Sequence, residues 1–180
     1  MDIVHALVAA GANIQLANHS GGTCLMNSVK CAQLASFLIT QVRGYLFLGE
    51  DMISVIFHPL QGADVNAEDV NQRTALHLAI QEHRLDTARL LVEAGADLDK
   101  RTRAGDDALQ TACIKRALGI FTYLLEARDY PQERVCDAYD LMGASYIFET
   151  LDINAAQFFW RRSIELRATN QGVWWWLWWY

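Results

Sequence analysis

Apolar positions recur along this chain three and four residues apart, the spacing of one helical face, and not in the alternation of a half-buried strand. The segments Ala32 to Gln41, Leu85 to Glu93, Arg134 to Phe148 and Ala155 to Leu166 each predict a helix. In the third, Val135, Ala138, Leu141, Met142 and Tyr146 mark the apolar face, and in the fourth Arg161 and Arg162 point outward. Shorter helices are predicted after Thr23 and Thr74, whose hydroxyls suit the N-cap. The pattern predicts an all-α chain.

Several of these elements repeat. Thr74-Ala75-Leu76-His77-Leu78-Ala79 returns as Asp107-Ala108-Leu109-Gln110-Thr111-Ala112, with Leu76 and Leu109 separated by 33. An earlier unit opens with Thr23-Cys24-Leu25-Met26. Helix ends also recur, as Gly11-Ala12-Asn13-Ile14, Gly62-Ala63-Asp64-Val65 and Gly95-Ala96-Asp97-Leu98, and Gly62 to Gly95 is again 33. This is the ankyrin period, and the motif resembles the ankyrin T-P-L-H-x-A signature. The expected fold is an ankyrin-repeat solenoid followed by a tetratricopeptide-like helix pair. In it Gly95 provides a left-handed C-cap leading into the hairpin Ala96 to Gly105, and alanines at close contacts let repeats stack.

The interval from Gly11 to Gly62 is 51 residues where one repeat predicts 33. The surplus maps to Val42 to Gln61, a 20-residue insertion that leaves 31, so this repeat is two short, between Asn27 and Ala32. Valine codons begin GT and one glutamine codon ends AG, which fits an unspliced in-frame intron. A surface loop at a repeat junction is the alternative. The expected organisation is therefore ankyrin repeats over 1–126 interrupted by 42–61, a linker over 127–133, a helical hairpin over 134–167 and a Trp-rich tail over 168–180. Five of the six Trp residues lie in that tail, which is read as spurious or unstructured sequence, with an aromatic anchor as the alternative.

The formal net charge is -6, from 15 Lys and Arg against 21 Asp and Glu. Basic and acidic residues number 2 and 3 over 1–61, 8 and 11 over 62–126, and 5 and 7 over 127–180, so no basic block is hidden in the mean. This argues against nucleic acid and anionic membranes as partners and leaves a protein or peptide. Asp2 stands where a signal peptide would carry a cation, and Glu50 and Asp51 break the longest apolar run, so neither secretion nor a membrane span is expected. Cytoplasmic localisation follows, with the nucleus as a second compartment. Cys24, Cys31, Cys113 and Cys136 form no C-x-x-C pair and are expected as buried free thiols.

No catalytic residue, cofactor site or metal site is assigned. His77 is expected to make structural hydrogen bonds between hairpins, and its His-x5-His spacing to His83 matches no metal motif. Cys24, His77 and Asp106 form the nearest thing to a catalytic trio and have no base-orienting motif around them. Partner-binding candidates on the expected concave face are Asn71, Arg73, Gln81, Glu82, Arg101, Arg103 and Asp106.

Three stretches together resemble the Fem (feminization protein homologue) family of ankyrin-repeat proteins. Asn18-His19-Ser20-Gly21-Gly22-Thr23-Cys24-Leu25-Met26 resembles its N-R-H-G-H-T-C-L-M stretch, and Thr74 to His77 its T-A-L-H repeat. Leu141 to Tyr146 with Trp160 to Arg167 resembles its L-L-G-A-T-Y and W-R-R-A-M-E-L-R. The resemblance covers Asp2 to Arg167 without Val42 to Gln61. It implies the substrate receptor of a cullin-RING ubiquitin ligase, whose ankyrin repeats grip the C-terminal residues of degron-bearing proteins. Met1 falls within the second helix of a repeat, so the earlier repeats that carry most of the family's acidic degron pocket are expected to have no counterpart here, and the same is expected of its later helical region with the elongin and cullin docking box. A generic ankyrin scaffold and an inactive truncated product are the alternatives.

Overall fold

The computed structural model describes residue 10, residues 12–40 and residues 63–171. The inserted segment 42–61 and the tail residues 172–180 lie outside them. Among the described residues all regular structure is helical: α1 Cys24–Asn27, α2 Ala32–Thr40, α3 Ala75–Gln81, α4 Leu85–Glu93, α5 Ala108–Ile114, α6 Leu118–Ala127, α7 Gln132–Thr150 and α8 Ile153–Gln171. None of these helices is long and apolar enough to cross a membrane. The chain divides into two compact units, residues 1–105 and residues 106–180.

In the first unit α1 pairs with α2 and α3 with α4, while α1 packs on α3 and α2 on α4, first helix against first and second against second. The seam is built from small and branched residues. Ala35, Ala75, Ala79 and Ala88 are fully or nearly fully buried beside Leu25, Leu76, Ile80 and Leu91. Burying each large aliphatic side chain contributes about 1.5–3 kcal/mol, and the alanines keep the helices close enough for that burial to occur. Thr87 Oγ1 donates to the carbonyl of Val29 at 2.9 Å in this seam, satisfying a buried group across 58 residues of sequence.

The two helices of a pair begin at Ala75 and Leu85 in α3 and α4, and at the same interval, Ala108 and Leu118, in α5 and α6. In α1 and α2 they begin closer together, at Cys24 and Ala32. In the two longer pairs the turn passes through His83 (φ 55°) and Arg116 (φ 54°) in the left-handed region. The shorter pair has a single-turn first helix. Its N-terminus shows the expected cap, with Thr23 Oγ1 accepting from the amide of Met26 at 3.4 Å. Two thiols depart from expectation: Cys113 and Cys136 are buried, whereas Cys24 and Cys31 are exposed. Cys24 opens a four-residue helix and Cys31 precedes α2, so neither sits on a face that another helix covers.

In the second unit α5 packs on both α6 and α7, and α7 on α8. Asp107 takes the N-cap position of Thr74, with Oδ1 accepting from the amide of Gln110 at 2.9 Å and Gln110 Oε1 accepting from the amide of Asp107 at 3.1 Å. Its other oxygen meets Arg134 Nη2 at 2.6 Å. Cys113 Sγ donates to the carbonyl of Ala138 at 3.2 Å, and burial pushes this thiol far above its ordinary pKa, with the charge of Asp107 adding to the effect. These bonds tie the third repeat-type helix pair to α7 within the second unit.

The crossing of α7 and α8 depends on Gly143. A Cβ there would stand 2.6 Å from Trp160 Nε1, and the indole uses the space to donate to the carbonyl of Asp140 at 3.3 Å. Tyr146 stacks on Phe159 with centroids 5.3 Å apart. Helix α8 runs to Gln171, so Ala168 to Gln171 extend the helix beyond the expected limit at Arg167. The far end of the pair leaves Phe148, Leu151, Ile153 and Phe158 exposed.

Candidate functional site

Three loops of the first unit carry one turn in three versions. The amides of Gly21, Gln72 and Gly105 donate to the carbonyls of Asn18, Asp69 and Thr102 at 2.9, 2.8 and 2.8 Å. Those three donors all have positive φ, at 74°, 57° and 93°. Side-chain oxygens reinforce the first two turns, since such residues hydrogen-bond the backbone two and four positions on. Asn18 Oδ1 accepts from the amides of Ser20 and Gly22 at 3.0 and 2.9 Å, and Asp69 Oδ1 from those of Asn71 and Arg73 at 2.8 and 2.9 Å.

The loops lie edge to edge. The amide of Asp64 donates to Gln15 Oε1 at 3.0 Å and that of Val70 to the carbonyl of Ser20 at 3.1 Å. At the next junction the amide of Asp97 donates to Asn66 Oδ1 at 2.8 Å and that of Arg103 to the carbonyl of Asn71 at 2.8 Å. The side-chain bond at the first junction spans 49 residues and its counterpart at the second spans 31. The first span exceeds the second by the same amount as the glycine spacing of 51, from Gly11 to Gly62, exceeds the 33 from Gly62 to Gly95. Gly21 is needed for this approach, because a Cβ would stand 3.0 Å from both Asp69 Cα and the amide nitrogen of Val70.

The candidate residues divide into engaged and open ones. Arg73 is clamped: Nε and Nη2 meet Asp69 Oδ2 at 2.8 and 2.7 Å, and Nη1 reaches Gln81 Oε1 at 3.4 Å. Burial alone would raise the pKa of Asp69, but the Arg73 side chain, the amides of Arg73 and Asn71 and the Arg73 charge together lower it. Glu82 is exposed at the C-cap of α3 and pairs with Lys30 at 3.2 Å. Asn71, Arg101 and Arg103 are exposed on the loops, where Arg101 Nη1 donates to the carbonyl of Gly105 at 3.0 Å. The structure brings Arg73 to Gln81 and Asn71 to Arg103. Asp106 is half-buried and is described with the second unit.

His77 is fully buried, and its Nδ1 accepts from the amide of Thr74 at 3.2 Å and lies 3.0 Å from Thr74 Oγ1. These bonds close the cap of its own helix. Cys24, in contrast, is exposed on α1. Among the described residues no group of three His, Cys, Asp or Glu side chains is gathered to hold a metal ion. The sequence reading did not single out His19 and Val70, which occupy the loop position of Arg103 in the two preceding loops. Aligning the loops at offsets of 51 and 33 would have placed all three in one column.

Residues 46–134 match a family model of ankyrin repeats in three copies. The match begins inside segment 42–61, continues through the second and third loops and α3 to α6, and ends just within α7. The chain is 35% identical over 122 residues to the Neurogenic locus Notch protein of Drosophila melanogaster, covering 62% of this chain and 4% of that protein. It is 39% identical over 67 residues to the human Ankyrin repeat domain-containing protein 13B, covering 37% and 11%. It is 38% identical over 64 residues to Protein glp-1 of Caenorhabditis elegans, covering 36% and 5%. The chain thus carries ankyrin repeats in an all-α fold, and it spans a small fraction of the length of these curated relatives.

Proposed function

We propose that this chain, with its ankyrin repeats, is a protein-interaction module that reads a protein or peptide segment along its loops and first-helix faces. The observation that carries the reading is the edge-to-edge registration of the three loops. It fixes the backbone of the tips and leaves the side chains of Asn71, Arg101 and Arg103 in solvent, while Arg73 is held by Asp69. A rigid framework presenting exposed polar side chains suits recognition, because little ordering entropy remains to be lost on binding. No reaction is assigned to it. A photo-crosslinking residue at Asn71 or Glu82 is expected to capture a partner, and one at Asp86, exposed on α4, is not. Equal capture from Asp86 would overturn the placement of the surface.

The finer reading is part of a substrate receptor of a cullin-RING ubiquitin ligase, in the cytoplasm or nucleus, with these repeats forming one portion of the surface that binds C-terminal degrons. Its support is the three stretches that resemble the Fem family, Asn18 to Met26, Thr74 to His77, and Leu141 to Tyr146 with Trp160 to Arg167. Peptides with a free C-terminal carboxylate are expected to bind and their amidated counterparts to fail. Indifference to amidation would remove the degron reading and leave the interaction module.

A further inference from the structure

The loop ladder repeats one contact twice and then stops. The carbonyl of Ser20 accepts the amide of Val70, and that of Asn71 accepts the amide of Arg103. The counterpart in the third loop is the carbonyl of Ala104, which follows Asn71 at the interval that separates Gly62 from Gly95. Among the described residues no amide donates to it, and both Ala104 and Gly105 are exposed. An open backbone edge of this kind is a template for one more extended segment, which would bring the missing donor.

Side chains at the edge select what that segment carries. The bond from Arg101 Nη1 to Gly105 holds its guanidinium beside the residue that follows Ala104. A guanidinium has five N–H donors in a planar fork, so most of those on Arg101 stay available to a carboxylate. Arg103 is exposed and has no ion pair among the described residues. On the preceding loop the carboxylates are engaged, Glu68 with Lys100 at 2.7 Å and Asp69 with Arg73 at 2.7 Å. Asp97, Asp99 and Asp106 flank this loop, but within Arg101 to Gly105 the only charged residues are the two arginines, so the edge at Ala104 is bordered by guanidiniums.

We infer that the open edge of the third loop, Arg101 to Gly105, takes an extended acidic segment of a partner protein. Its amide bonds the carbonyl of Ala104 and its carboxylates meet Arg101 and Arg103. This rests on the protein-recognition reading above and adds the chemistry of the partner.

The test uses the whole chain in anisotropy titrations with fluorescein-labelled octapeptides. One alternates Glu and Val, one has Gln for Glu, one has Lys for Glu, and one is the Glu and Val peptide with alternate amides N-methylated. The Glu and Val peptide is expected to bind at least tenfold tighter than the Gln and N-methylated forms, and to weaken as salt rises. A chain with both Arg101→Glu and Arg103→Glu is expected to prefer the Lys peptide. Both positions are exposed, so its melt should match that of the unsubstituted chain, and the peptide comparisons on that chain require no variant. Equal binding of the Glu and Gln peptides, indifference to N-methylation, or a reversed chain that still prefers Glu would each overturn the inference. If no octapeptide binds while crosslinking from Asn71 and Glu82 still captures a partner, the acidic-segment inference falls and the recognition reading stands.

Discussion

Asp107 and Arg134 differ sharply in burial, and the difference predicts unequal costs for removing them. The carboxylate side chain is 2% exposed and the arginine 33%, with a 2.6 Å contact between them. Arg134 also lies over the Tyr130 ring at 5.2 Å. Asp107→Thr keeps a cap of the kind Thr23 and Thr74 form, and frees an arginine that can reach water, so its expected cost is about 1.5 kcal/mol, the low end for a charge-assisted bond. Asp107→Ala also loses the cap and should cost about 2.5 kcal/mol, the cap being worth about 1. Arg134→Ala strands a buried carboxylate and removes a cation over a ring, and should cost about 3–4 kcal/mol. The double variant Asp107→Thr with Arg134→Ala should cost less than the two changes summed, because no buried charge is left without its partner. Urea titrations followed by far-ultraviolet circular dichroism measure all four, and each kcal/mol should lower the melting temperature by about 2–4 °C in a chain of this size. Additive costs, or Arg134→Ala milder than Asp107→Thr, would refute the burial argument.

Three further outcomes follow from the loops and turns. Gly21→Ala should cost about 2–3 kcal/mol, from the left-handed penalty plus a backbone clash that breaks the Ser20 to Val70 bond, whereas Gly95→Ala, with open space around it, should cost about 1 kcal/mol; comparable thermal melts for the two would contradict the close approach. Gln72→Gly and His83→Gly relieve left-handed residues at φ 57° and 55° and should each stabilise by up to about 1 kcal/mol, the strain relieved less the entropy of glycine, read as higher urea midpoints. The lowered pKa of Asp69 means its contribution is present above the ordinary carboxylate value of 3.8 and is lost as pH falls through the lower folded value. Urea midpoints should therefore drop as pH falls below about 4 in the unsubstituted chain, and less in Asp69→Asn; equal drops would remove Asp69 as the source.

Much of the framework was legible because local chemistry repeats. The threonine caps, the buried alanines and the left-handed Gly95 are each required by a backbone conformation, so they return with the period of the repeat whatever the surface does. The site was less legible because exposed positions carry no period. Arg73 reads as an open surface cation in a linear pattern, yet its guanidinium is committed to Asp69 one helical turn's length back along the chain. Asp107 reads as an irregular substitute for threonine until Arg134, far along the sequence in another helix, explains why a carboxylate replaces a hydroxyl.

By itself the sequence determined which segments become helices, where those behind Thr23, Thr74 and Asp107 begin, and that the repeats stack, since capping, periodicity and burial act within a few residues or at a constant offset. Tertiary structure decided which polar groups meet. It set the first two loops in register despite the longer stretch of chain between them, joined the third helix pair to α7 through Asp107 and Arg134, and ended the loop ladder at Ala104. Those outcomes depend on distances between residues far apart in the chain, and such distances exist only once the helices have packed.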